Sequence, residues 1–494
     1  MAVAAANLRD TMAATGPLDG RAARSQRLGG RHRAGRPVLR QVAVAATGAL
    51  LALGVGGTGL RAAAAPLTPS GCSRCGGVPY RCRSPVSVAG VGLPQWTTFE
   101  GGGPHDLNLP AKVRGRPLIA RWRLAVPGEI VTAPAVVRGV AYFGSLDGCV
   151  YAVDLRDGQV RWGAEAPNEV MSEPLVVGSR VFFGVGNKTI VKIGGVWVRG
   201  TGPSGVEAVS ARSGAVIWRF ATPGEVMPTL LYHAGVVYAA TGNAVFYALA
   251  AASGHLLWRV DLRSLDSMSS PALASGHAVF GGTTPFRFFG VNLAARRLGW
   301  VRPVPDAAGG VDDISPTVSA TGQRVFIQVP YGVFPQVRVA ELALSGRSGR
   351  LLWQRVLGHG TLPTDGREEV GVATLAGGML YVGSPALHTL WALSSADGHP
   401  VWPHPAVLPV GVRASPLVSG HRILALSGGR LFVLDRADGK VLGSLRLGVP
   451  GNLASCAPPA PERVGDTLLV VGGQEDVLRA IPWRVLPGTD PVQR

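Results

Sequence analysis

The stretch "AVDLRDGQVRW", residues 152–162, decides the fold because it returns along the chain. Relatives of it end at Trp218 ("AVSARSGAVIW"), Trp258 ("ALAAASGHLLW"), Trp353 ("ALSGRSGRLLW") and Trp402 ("ALSSADGHPVW"). Each keeps a small residue ten positions before the tryptophan and an Asp-Gly or Ser-Gly step ahead of its last strand. Two copies are degenerate: "GVNLAARRLGW" at Trp300 has lost the glycine turn, and "VLDRADGKVLG" sets Gly443 where tryptophan belongs. A second signature precedes every copy, a β-branched run opening near a proline, as in "TAPAVVRGVAYFG" and "SEPLVVGSRVFFG". These runs open at Pro134, Pro174, Pro228, Pro271, Pro316, Ala373 and Pro416, and "APPAPERVGDTLLVVGG" opens the last. Eight units of about 40 residues result, and a fixed period of that length marks a repeat architecture.

Each unit predicts four short antiparallel strands. Alternating β-branched and aromatic residues supply the strands, and a Gly-containing turn divides the first two. The Asp/Ser-Gly turn supplies a positive φ between the third and fourth, and the closing tryptophan offers a large ring to the next unit. A four-stranded sheet has two faces to cover, and a ring of such sheets covers both. The expected fold is therefore all-β, an eight-bladed β-propeller, or seven-bladed if the weak final unit fails. Trp122 in "ARWRL" stands 40 residues before Trp162, so the N-terminal strand is expected to join the last blade and close the ring.

These residues carry a resemblance. The pattern A-x-D-x-x-[TSD]-G-x-x-x-W, complete in Ala152, Asp154, Asp157, Gly158 and Trp162, resembles the tryptophan-docking motif of the PQQ-like (quinoprotein alcohol dehydrogenase-like) propellers. "WTTFEGGGPH" from Trp96 resembles the entry segment of secreted members. The likeness covers roughly residues 95–485. It implies docking roles for Trp162, Trp218, Trp258, Trp300, Trp353 and Trp402, and it speaks to fold rather than to activity, because the motif touches no cofactor. A quinone dehydrogenase of this kind implies a vicinal Cys-Cys disulfide, a calcium cage and an Asp base. No two cysteines here are adjacent and no CxxCH is present, so no cofactor is expected, with PQQ and calcium as the minor alternative.

Composition narrows the compartment and the partners. Of 494 residues, 48 are Lys or Arg and 30 Asp or Glu, which sets the net charge at +18; 47% are hydrophobic and 16% charged. That balance excludes a disordered chain and a polytopic membrane protein. Only four of the basic residues are Lys, and no arginine cluster is interleaved with stacking aromatics, so no nucleic acid is expected as partner. Residues 21–40 hold seven Arg and no acid, and an apolar run of small residues follows from Val42 to Leu60. This is the layout of an export signal, with small residues for cleavage around Ala64, or of an uncleaved inner-membrane anchor. The expected organisation is a signal peptide or anchor over 1–65, a Cys/Pro/Gly-rich linker over 66–94 and the propeller over 95–494. The protein is expected outside the cytoplasm, touching a membrane only through its N-terminal segment. Without the leader the body stays at +11, which attracts anions. Cys72, Cys75 and Cys82 in "CSRCGGVPYRC" read as a small disulfide loop, with an odd thiol left over among five and no fourth ligand for a metal.

The loops that precede the first strand of each blade carry Glu129, Glu169, Glu225, Asp266, Asp312 with Asp313, and Glu368 with Glu369, whereas the seventh has Arg413. Eight of the 30 acids of a basic protein thus fall at one repeated place. On the implied architecture these loops shape the channel mouth, where carboxylates bind a cation or basic peptide or hold one raised-pKa acid; capping of turn amides is the alternative use. The adjacent Asp312 and Asp313 in "VDDISPT" are the acid/base candidates. Two functional classes stay open. The first is an extracytoplasmic protein-binding scaffold with an envelope or secreted partner, similar to the propeller of the outer-membrane β-barrel assembly machinery. The second is a secreted hydrolase of a small anion, similar in size, export and repeats to the tetrathionate hydrolases of acidophiles, with a PQQ-dependent dehydrogenase behind both.

Overall fold

The tryptophan repeat builds eight antiparallel four-stranded sheets. The computed structural model describes residues 108–109 and 122–486, apart from 194–195, 267, 284, 312, 363–369, 448–459 and 472–476. The expected leader, the linker with Cys72, Cys75 and Cys82, and Asp312, Glu368 and Glu369 lie outside the described residues.

Blade one runs Ala135–Val137, Val140–Gly144, Cys149–Asp154, Val160–Glu165, each strand pairing with the next. Blades three to seven repeat this order from Leu231, Ala272, Thr317, Ala373 and Leu417. Blade two inserts a hairpin, Ile190–Ile193 with Val196–Arg199, between its second strand Arg180–Val185 and third strand Gly205–Ser210. Blade eight has three C-terminal strands and takes its outermost strand from Trp122–Ala125, which pairs antiparallel with Val477–Pro482. The ring closes as the position of Trp122 implies. Nothing in the repeat marks the two-residue strand Asn108–Leu109, which runs parallel to Leu417–Ser419 at the inner edge of blade seven.

The docking turn explains the motif residue by residue. Trp122, Trp162, Trp218, Trp300, Trp353 and Trp402 each donate their indole N–H to a carbonyl of the following blade, on Leu155, Ala211, Ala251, Gly346, Ser395 and Arg436, at 2.9–3.2 Å. The turn glycine lies flat against that ring: a Cβ on Gly158, Gly214, Gly254, Gly349, Gly398 or Gly439 would come within 2.4–2.7 Å of an indole carbon. Each of these glycines also has a φ of 64–76°, so the position excludes a side chain twice over. The small residue ten places before the tryptophan is its cross-strand partner, as Ala152 is to Trp162 and Gly290 to Trp300. Trp258 breaks the series. Its docking turn carries Arg296 at φ 56° in place of glycine, and its ring packs on Tyr238 and Phe246 of its own blade and into the apolar seam with blade four.

The core is a set of seams. Separate apolar clusters fill the junctions of blades one and two, two and three, and so on round the ring, and the largest joins blades seven, eight and one. One layer crosses every blade. Second and third strands meet there as Gly144 and Val150, Gly184 and Val206, Ala240 and Phe246, Gly281 and Phe288, Gly383 and Leu390, Leu426 and Leu431, Val471 and Leu478. Blade five places Gln328 and Glu341 at this layer instead. Gln328 reaches into blade six, donating to the Gly383 carbonyl at 2.8 Å and accepting from the Gly371 N–H at 3.0 Å. Glu341 is fully buried, neither carboxyl oxygen has a hydrogen-bond partner among the described residues, and burial pushes its carboxyl far above the usual carboxylate range.

Candidate functional site at the channel mouth

The first strands of adjacent blades line the inner edge, and the loops that lead into them gather at one end of the ring. Their register repeats: the Glu129, Glu169 and Glu225 carbonyls accept from the N–H of Leu146, Gly186 and Gly242, in the turn between the second and third strands of the same blade. Three equivalent backbone bonds therefore set three glutamates at equivalent points round the ring.

Their side chains meet different fates. Glu129 and Glu169 are half-buried and cap no turn amide among the described residues; burial raises the Glu169 carboxyl, Lys188 draws it down, and the Glu129 charge adds to the rise. Glu225 is fully buried against the Arg199 guanidinium, which comes from the inserted hairpin of blade two. Burial pushes Glu225 up to about 8 in spite of Arg199, and the charges of Glu169 and Asp313 push in the same direction. Backbone bonds lock the pair together, since Glu225 N donates to the Arg199 carbonyl and Arg199 N to the Gly242 carbonyl, both at 2.8 Å. Asp266 is fully buried and accepts from the Ser269 N–H at 3.3 Å, so here the turn-capping use holds. Asp313 is half-buried, and its carbonyl accepts from Arg413 Nη2 at 3.4 Å, across a separation of two blades. The electrostatic couplings and this bond bring Glu129, Glu169, Glu225, Asp313 and Arg413 to one mouth. The expected ring of exposed carboxylates is in fact a mixed one, with Glu225 and Asp266 beneath the surface and Arg199 and Lys188 added.

Sequence reasoning missed the floor of this mouth. Met171, Met227 and Met268 pack into one cluster with Val131 and Leu146. These five residues come from the entry loops and turns of four consecutive blades, and side chains of four blades meet only near the axis. The signal was present in "EVMSEP", "EVMPT" and "DSMSSP", where a methionine follows each acid at a distance of two. Met171 and Met227 are buried, Met268 is half-buried, and Arg199 Nη2 approaches Met227 Sδ at 3.4 Å. A separate cavity of about 690 Å³ lies along the long hairpin of blade five, between Asp306, Tyr331, Arg338 and His359, and none of the mouth residues lines it.

Among the described residues no group of three or more His, Cys, Asp or Glu side chains converges on a metal-sized point, and Cys149, in the third strand of blade one, has no cysteine beside it.

Comparisons with known proteins agree with the architecture. The family model described as "Outer membrane protein assembly factor BamB" matches residues 119–193, 191–341 and 333–484. Tetrathionate hydrolase of Acidithiobacillus ferrooxidans is 26% identical over 485 residues, which covers 86% of this chain and 93% of that protein. Outer membrane protein assembly factor BamB of Yersinia pestis is 26% identical over 276 residues, or 54% of this chain and 64% of that one. Among solved structures, quinohemoprotein alcohol dehydrogenase from Comamonas testosteroni superposes with a TM-score of 0.56 at 12% identity, covering 81% of this chain and 82% of that chain, a likeness of fold alone.

Proposed function

We propose that this chain, which belongs to the outer membrane protein assembly factor BamB family, works outside the cytoplasm as a hydrolase of a sulfur-chain dianion of the tetrathionate type. The observation that carries this reading is the extent of similarity. The hydrolase match runs through nearly the whole of both proteins, whereas the match to Yersinia pestis BamB covers about half of this chain and two thirds of that one.

The mouth offers the chemistry such a reaction needs. A net-positive body draws a dianion in, and Arg413 and Lys188 stand among the carboxyl groups to receive its charged ends. Hydrolysis of an S–S bond adds water oxygen to one sulfur while the bonding pair leaves on the other. In this reading Asp313 takes the water proton. A carboxyl held in its protonated form, as burial favours for Glu169, supplies the proton that the departing sulfur takes up, and the exchange is redox-neutral overall. Glu225, buried against Arg199, acts on this site by fixing the inserted hairpin of blade two beside it.

The test is tetrathionate consumption by purified protein across pH 2–7, with Asp313→Asn beside the parent. Loss of a general base predicts a rate lower by about 10²–10⁴-fold with an unchanged unfolding midpoint. Equal turnover in the two proteins removes Asp313 from the chemistry, and no turnover in the parent removes the reading.

A second reading, a protein-binding scaffold with an envelope partner, is favoured by the family itself and by exposed apolar pairs on outermost strands, Val216 with Ile217 and Leu256 with Leu257. Such edges accept an added strand. Cross-linking in the native envelope, with one partner recovered in constant ratio and no polythionate turnover, would select it.

A further inference from the structure

Sulfur is scarce in this chain and unevenly placed. Six methionines are present in 494 residues, two of them in the first twelve positions. Of the four in the propeller, Met171, Met227 and Met268 converge on the axis at the mouth, and Met379 stands apart at the start of the second strand of blade six. Apolar packing alone does not demand this choice, because the same loop position in blade one carries Val131, which joins the same cluster. Thioethers differ from valine or leucine in being polarisable and adaptable in shape.

We propose that the Met171–Met227–Met268 floor is the subsite that receives the sulfur chain of the substrate, leaving the charged ends to Arg413 and Lys188. This deepens the hydrolase reading and rests on it. A chain of divalent sulfur is weakly hydrated and polarisable, so it gains dispersion against thioether sulfur and little from hydrogen-bond donors. A sulfate or phosphate of equal charge has no such segment, and the floor discriminates against it. The same soft atoms suit Cu(I) or Ag(I). The geometry argues against a cation, because the Arg199 guanidinium already stands 3.4 Å from Met227 Sδ and would repel one.

The experiment labels the full-length protein with methyl-13C methionine and titrates it with sodium tetrathionate, sodium sulfate or silver nitrate. Asp313→Asn serves as the host, so that turnover does not consume the ligand. The expected result is a saturable shift of the Met171, Met227 and Met268 methyl signals with tetrathionate, none with sulfate at equal ionic strength, and a still signal for Met379. Leucine keeps volume and apolarity, so the triple variant Met171→Leu, Met227→Leu, Met268→Leu should stay folded while its tetrathionate Kd rises by roughly tenfold, at two- to threefold per sulfur. Its unfolding midpoint and circular dichroism check the fold.

Tetrathionate binding with unmoved floor methyls, or equal affinity in the triple-leucine protein, overturns the subsite and leaves the hydrolase reading standing. Absence of any tetrathionate binding, with no turnover by the parent, overturns both. Shifts with silver and none with tetrathionate make the floor a soft-metal site and refute the proposal.

Discussion

Replacing Glu341 with leucine should make the protein more stable, by an amount that grows with pH. The side chain lies in a layer where the other seven blades place Val, Phe or Leu, and no hydrogen-bond partner among the described residues meets its carboxyl. Of the charged groups on adjacent strands, Arg355 is its register partner, but that guanidinium donates to the Gly398 carbonyl at 2.8 Å, and burial alone governs the ionisation of Glu341. A carboxyl raised in the folded state keeps its proton at a pH where the unfolded chain, with a glutamate near pH 4.3, has released it. The unfolded state then binds fewer protons, so the stability Glu341 contributes is complete below about pH 4 and falls by about 1.4 kcal/mol per pH unit above it, until the folded group ionises. Leucine has no such slope. Other raised carboxyls, Glu169, Glu207 and Glu225, tilt both proteins equally and cancel in the comparison. With about 2.1 cal/mol/K of unfolding entropy per residue over roughly 370 residues, 1 kcal/mol moves the midpoint by ~1.3 °C. The gap between Glu341→Leu and parent should therefore widen by about 3–4 °C from pH 4.5 to 6.5 in matched calorimetric scans. A gap that stays constant over that interval refutes the reasoning, because it means that Glu341 is ionised in the fold or finds a partner there.

Two further outcomes follow from the docking turns. Gly214→Ala should lower stability by about 1–3 kcal/mol, since its new methyl meets the Trp162 ring at 2.7 Å with φ at 71°, and denaturant titration checks it. Arg296→Gly should raise stability by about 1 kcal/mol in the same assay, because it relieves a left-handed arginine at the one docking turn that lacks glycine.

The ring was readable because each blade solves the same packing problem with the same residues. Ala152 is the cross-strand partner of Trp162, and Gly158 lies under the ring of Trp122 from the preceding blade, so every blade repeats both constraints and their spacing survives even where Gly443 has replaced the tryptophan. The mouth was half-readable. The recurrence of acids located it, but a letter cannot say whether a glutamate points outward, as Glu129 does in part, or is buried on an arginine from an inserted hairpin, as Glu225 is. Arg199 stands 26 residues before Glu225, in an insertion that the repeat does not predict. The methionines were invisible for a different reason: one methionine in an apolar loop reads as core, and only the axis brings three together. Glu341 was lost inside "VAELALS", whose alternation is that of any buried strand.

The seam that joins Trp122–Ala125 to Val477–Pro482 sets a clock on biosynthesis. Trp122 and its partner Ala480 are separated by about 360 residues, and at 5–20 residues per second the first strand leaves the ribosome roughly 20–70 s before the last can meet it. Seven blades have every strand they need within that interval, and the eighth has none of its own until the end. A chain broken off before Val477–Pro482 would carry a nearly complete set of blades and an open ring, with the edge of Trp122–Ala125 offered to whatever else is nearby. Quality control of this protein therefore has one place to look, the seam where those two strands meet.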